Sequence, residues 1–137
     1  MKNILLILIF ISLTNLTAQE NKWMLIEEES FIQYSAKHLL HKWSGVNNNI
    51  KGVFLQQSTS KIAVSANIAD FDSGISNRDS NALRVLNALN YPQVKFYSAD
   101  ININSDKITF NGELDFHGKK IQKSFEGTYV NTNDKLT

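Results

Sequence analysis

The chain has 137 residues, with 14 Lys and Arg against 13 Asp and Glu, and no cysteine. So even a balance argues against a nucleic-acid partner, which needs a basic surplus, and against an acidic disordered tail. Without cysteine there is no disulfide framework, Cys-ligated metal or thiol nucleophile.

The first element reads as a removable leader. Lys2 supplies a positive start, residues 4–13 carry no charge, and residues 14–18 form a short polar exit ending in Ala18. That is the pattern of a bacterial Sec-type signal peptide, expected over residues 1–18. The apolar run falls short of the about 20 residues of a membrane span, so no stable span is expected. Cleavage after Ala18 removes 18 of 137 residues, leaving 119, and removes Lys2 alone among the charges, leaving 13 of each sign. Residues 19–137 then form one domain, large enough for a core.

Period-two alternation dominates that domain. Residues 61–69 set Ile62, Val64, Ala66 and Ile68 on one side, and residues 107–116 alternate Ile108, Phe110, Gly112, Leu114 and Phe116 with polar partners. Residues 30–38 alternate in the same way, with Ile32, Tyr34 and Ala36 opposed to polar neighbours. Such alternation marks strands with one buried and one wet face. Residues 23–27, 50–56, 94–104 and 121–130 complete a set of seven strand candidates. Residues 43–49 are polar and asparagine-rich and read as a loop. Residues 57–60 and 104–106 read as turns. Gly112, inside a strand, suggests a bulge or a close backbone approach.

One segment breaks the alternation. Ser76-Asn77-Arg78-Asp79 has the form of a capping box with Ser76 as N-cap. Ala82, Val85, Leu86 and Leu89 then fall on one helical face, and Pro92 stops the helix. A single short helix in an antiparallel meander points to a barrel or sandwich. Arg78, beside a helix N-terminus, is a candidate anion contact.

Three histidines could hold a metal. His38 and His41 have i, i+3 spacing, and His117 would complete a three-His set of the zinc hydrolase kind. No carboxylate stands near His38 or His41 in sequence to orient a ligating ring, and i and i+3 on a strand face opposite ways. No Gly-x-Ser-x-Gly elbow and no Gly-rich phosphate loop is present.

Several motifs resemble one family. Ser30-Phe31-Ile32-Gln33-Tyr34-Ser35-Ala36-Lys37-His38, followed by His41, Gly45 and Gly52, is similar to the opening of the YceI-like family of bacterial periplasmic polyisoprenoid-binding proteins. Asn77-Arg78-Asp79 with Leu83 resembles its Arg-Asp helix start. Tyr91-Pro92-Gln93-Val94-Lys95-Phe96-Tyr97-Ser98 resembles its Tyr-Pro strand, and residues 112–118 resemble its glycine-bounded hairpin. In order and spacing these pieces cover about residues 30–128.

The resemblance implies a mainly β fold, an extended antiparallel β-barrel of lipocalin-like shape with one short helix. It implies a non-enzymatic role without a cofactor, in which an isoprenoid chain, a polyprenyl lipid or a quinone tail, lies inside the barrel. Ile32, Tyr34, Ala36, Phe96, Phe110, Leu114 and Phe116 would line the interior, and His38 and Arg78 would meet a head group. Family members continue past the Gly118 hairpin with strands that close the barrel. Here a turn at residues 131–134 is followed by residues 135–137 alone, so the last strands are expected to be missing. Residues 121–130 would be an open edge, to be completed by a dimer mate or a partner strand. A three-His metal-dependent hydrolase and a ligand-free protein-interaction barrel are the alternative readings.

Overall fold

The computed structural model describes residues 21–132 and 135–137. The expected leader, and Asn133 and Asp134 of the expected turn, lie outside the described residues. The strands are β1 (Asn21–Met24), β2 (Ile32–His38), β3 (His41–Asn47), β4 (Ile50–Gln56), β5 (Lys61–Asn67), β6 (Gln93–Asn104), β7 (Lys107–Phe116), β8 (Lys119–Thr128), β9 (Asn131–Thr132) and β10 (Lys135–Leu136). One α-helix, α1 (Ser76–Val85), joins β5 to β6.

Six strands form one antiparallel sheet in the order β1-β4-β5-β6-β7-β8. β2 and β3 make a separate two-stranded ribbon, and β9 and β10 another. Among the described residues the fold is therefore mainly β and antiparallel with one α-helix, as the sequence indicates. Among the described residues the sheet does not close: β1 and β8 are its two edges.

Alternation decides which residues share a face, because cross-strand partners stand side by side on the pleat. Trp23 pairs with Phe54, Phe54 with Ile62, Ile62 with Ser98, and Ser98 with Gly112. Beyond that row the register shifts between Ser98 and Asp100, opposite Gly112 and Asn111. Ala99 is the extra residue of a bulge, which bends and twists the sheet. Gly112 sits at this bend, as its place inside a strand suggested. A Cβ there would collide with the carbonyl oxygen of Tyr97 and stand 2.8 Å from Phe96 Cζ.

Two local expectations need correction. Residues 43–49 are not a loop: most of them belong to β3, paired along its length with β2. Asn47, which helped the segment read as polar, is fully buried. Its Nδ2 donates to the Asn67 carbonyl at 2.9 Å, and its Oδ1 accepts from the Asn49 N–H at 2.7 Å.

The capping box does not form either. Ile75 is the N-cap and makes no side-chain cap. The Asp79 carboxylate instead accepts from the Ser73 N–H at 3.2 Å, six residues upstream. The helix ends at Val85, which is 71% exposed, and Leu89 is 98% exposed. The face turned inward carries Ala82, Leu83 and Leu86, each half-buried.

Candidate functional site

Among the described residues only Ile50, Ala66, Ile68 and Ile108 are buried apolar side chains. Much of the sheet's apolar face is thus only partly covered. A cavity of about 400 Å³ lies against it, at the low end of the about 300–1,000 Å³ of small-ligand sites. β4 and β5 supply Phe54, Ile62 and Val64 on one side, and β7 supplies Ile108 and Phe110 on the other. Trp23 of edge strand β1 closes one flank and Gly127 of edge strand β8 the other.

Part of the lining is more polar. Thr128, Tyr129 and Leu136 belong to it, together with Lys135 and Glu29. Lys135 Nζ donates to the Glu29 carboxylate and ties the β9–β10 ribbon to the turn formed by Glu27–Glu29. Trp23 adds a buried indole Nε1 with no hydrogen-bond partner. Apolar walls with a few polar groups suit a long apolar ligand with a small head.

A second depression of about 510 Å³ is bordered by Lys51, Lys95, Glu113, Asp115 and Lys120. These carry charge, and the Lys120 ammonium donates to Glu113 at 2.8 Å. Charges of both signs in an open groove are a poor seat for hydrocarbon.

Of the nine residues expected at the site, Phe110 stands in the cavity wall. Phe96 borders the second depression, and its ring packs edge-on against Phe125 at 5.0 Å. Leu114 and Phe116 lie further along β7, half-buried and away from the cavity. Ile32, Tyr34 and Ala36 belong to the β2–β3 ribbon, where Tyr34 packs on Phe71 at 5.7 Å. His38 is at that ribbon's exposed turn.

Arg78 lies with its guanidinium carbon 5.3 Å from the Trp43 ring centroid, and its Nη1 donates to the Ser73 carbonyl at 3.5 Å. Nearby backbone donors are already taken by carboxylates, Ser73 N–H by Asp79 and Gly74 N–H by Asp72. The two backbone donors just before the helix are thus occupied by Asp79 and Asp72. Alternation sets Phe110, Leu114 and Phe116 on one face of β7 but does not say which stretch of that face borders the cavity. Trp23, Tyr129 and Leu136 carry no such signal in the sequence, because they meet only once β1 pairs with β4 and the last ribbon folds back.

The histidines are arranged differently from the expectation. A two-residue turn makes His38 and His41 direct cross-strand partners rather than opposite-facing neighbours on one strand. His117 sits on the β7–β8 turn, where its Nδ1–H donates to the Leu86 carbonyl at 2.7 Å. Among the described residues no group of three His, Asp or Glu side chains could hold a metal. No helix among them is long and apolar enough to cross a membrane.

A family model described as the YceI-like domain matches residues 23–136. The chain belongs to the YceI-like family. Solved structures share the fold at low identity. Burkholderia cenocepacia BcnA is 18% identical with a TM-score of 0.67, covering 75% of this chain and 69% of that one. The Campylobacter jejuni YCEI protein is 18% identical with a TM-score of 0.58, covering 82% and 72%. A polyisoprenoid binding domain from Saccharophagus degradans is 10% identical with a TM-score of 0.50, covering 72% and 60%. No curated protein matches the chain. The YceI-like assignment agrees with the antiparallel sheet and single helix described above.

Proposed function

We propose that this is an exported, non-enzymatic lipid-binding protein that holds an isoprenoid chain, a polyprenyl lipid or a quinone tail, against the apolar face of its sheet. The observation that carries the reading is the cavity between β4–β5 and β7, walled by Trp23, Phe54, Ile62, Val64, Ile108 and Phe110. The family assignment and the likeness to a polyisoprenoid binding domain support it. The leader at residues 1–18 supports export to the periplasm or beyond.

The chemistry is burial, not catalysis. Removing about 400 Å² of isoprenoid surface from water contributes on the order of 10 kcal/mol before binding costs. The apolar tail lies on the aromatic and aliphatic floor. A polar head group meets the more polar part of the lining, where Lys135, Thr128 and Tyr129 offer hydrogen-bonding groups. Solvent extraction of the purified protein followed by mass spectrometry tests this. A co-purifying polyprenyl species is expected, and an empty extract from folded protein counts against it.

A further inference from the structure

We infer that the tip of the β2–β3 hairpin docks this protein on an anionic lipid bilayer, with Leu39 and Leu40 entering the apolar boundary and Lys37 and Lys42 meeting lipid phosphates. This goes beyond the cargo reading and does not depend on it.

Three choices at this tip work against the isolated fold. Leu39 and Leu40 form the entire turn and are 77% and 95% exposed. Leu39 has φ 50, a conformation that hairpin turns normally give to Gly or Asn. Lys37 and Lys42 are direct cross-strand partners, and like charges placed opposite each other repel. Local rules broken together, without a compensating contact, mark sites kept for function.

A bilayer surface with anionic head groups resolves the exposed leucines and the paired lysines at once. The charge pattern points the same way. No Asp or Glu occurs between Glu29 and Asp70, while Lys37, Lys42, Lys51 and Lys61 do. The chain is balanced overall, yet this ribbon is purely cationic. Just behind the tip stands Trp43, with Arg78 over its ring. At about 3.3 Å per strand residue, Trp43 lies roughly 10 Å behind Leu40. That matches the about 5–10 Å to which interfacial elements sink and puts Trp43 and Arg78 at head-group level, where aromatic residues gather.

The ribbon is also free to present its tip. It pairs with no strand of the six-stranded sheet, and its bridge to the loop before α1, Val46 to Asp72, is at the far end from the turn. A protein partner fits less well, because protein interfaces are depleted in Lys, and a lysine flanks each end of this turn.

The test is co-flotation of the full chain with phosphatidylcholine vesicles, with and without phosphatidylglycerol. The probe is compared with a Leu39→Asn/Leu40→Ser variant and a Lys37→Gln/Lys42→Gln variant. Binding is expected to need the anionic lipid and to fall about tenfold or more in either variant. Asn suits positive φ, so the leucine variant keeps its thermal midpoint and lost binding cannot be blamed on unfolding. In a Trp23→Phe background, brominated lipid is expected to quench Trp43, placing the tip itself at the bilayer. Unquenched Trp43, vesicle binding unchanged in both variants, or no binding by the unsubstituted chain overturns the inference. Lipid found on extraction alongside absent vesicle binding would remove the docking tip and leave the cargo reading standing.

Discussion

The ring of Tyr34 occupies the space in front of Gly45, its cross-strand partner on the β2–β3 ribbon. A Cβ on Gly45 would stand 2.7 Å from Tyr34 Cζ and 2.8 Å from its hydroxyl oxygen. The glycine exists to seat the ring, and the ring in turn packs on Phe71. Gly45→Ala is therefore expected to destabilise by about 1–3 kcal/mol. Tyr34→Ala alone is expected to cost about 1.5–3 kcal/mol, the lower end reflecting a half-buried ring. In the Tyr34→Ala background, Gly45→Ala should cost almost nothing. Urea midpoints of the four proteins measure this coupling. Equal penalties in both backgrounds would show that the ring does not rest on the glycine.

The bulge in β6 depends on Ser98 and Gly112 together. The Ser98 hydroxyl is buried, donates to the Asn111 carbonyl at 2.8 Å and accepts from the Asp100 N–H at 3.1 Å. Ser98→Ala strips both groups of a partner, at about 1–3 kcal/mol. Gly112→Ala drives a methyl into a backbone oxygen that cannot swing away, and its cost belongs at the upper end of about 1–3 kcal/mol. Thermal unfolding checks both. A neutral Gly112→Ala would mean the sheet has room at its bend.

Asn47 supports the loop between β3 and β4 from inside. Asn49 Nδ2 and Asn67 Nδ2 both donate to Asp70, at 2.8 and 2.9 Å, so the network joins the β3–β4 connection to the end of β5. Asn47→Ala leaves the Asn67 carbonyl and the Asn49 N–H without their partner and is expected to cost about 1–3 kcal/mol. Hydrogen exchange of the Asn49 amide should accelerate in the same variant. An unchanged exchange rate would show that Asn47 is not what holds that amide.

What the sequence could reveal follows from how local each signal is. Strict alternation in residues 61–69 and 107–116 leaves few structures other than strands, and β5 and β7 lie there. β3 was illegible because Asn47 is buried for hydrogen bonding, and a polar residue satisfied at long range looks the same in sequence as one in a loop. The helix began where its polar start suggested but stopped early, since Leu89 meets no apolar neighbour and remains in solvent. The cavity was the least legible feature. Phe110 could be assigned to an inward face, whereas Trp23 reaches that cavity through its pairing with distant Phe54, and Leu136 lies on a local hairpin that Lys135 ties to Glu29.

Glu113 holds the Lys120 ammonium above its ordinary 10.5, first through their hydrogen bond and then through charge attraction. A folded-state value raised above the unfolded one stabilises below the unfolded value and is lost as pH rises through the folded value. The pair is exposed, so the contribution is small. Glu113→Gln should lower the titration midpoint of Lys120 followed by NMR. The thermal midpoints of the two proteins should converge above that pH range. A difference that grows with rising pH would contradict the assignment.

The central claim is that the cavity holds an isoprenoid, and Gly127 offers the most direct test. It lies in the cavity wall on an edge strand, where an added Cβ meets only Ile108 Cγ2, at 3.9 Å. Gly127→Phe can thus fill the cavity without forcing the sheet apart. The decisive measurement is the molar ratio of extracted isoprenoid to protein in the unsubstituted chain and in this variant. Near-stoichiometric lipid in the first and strong depletion in a still-folded second is the expected result. Equal lipid in both, or none in either, would contradict a ligand seated between β4–β5 and β7.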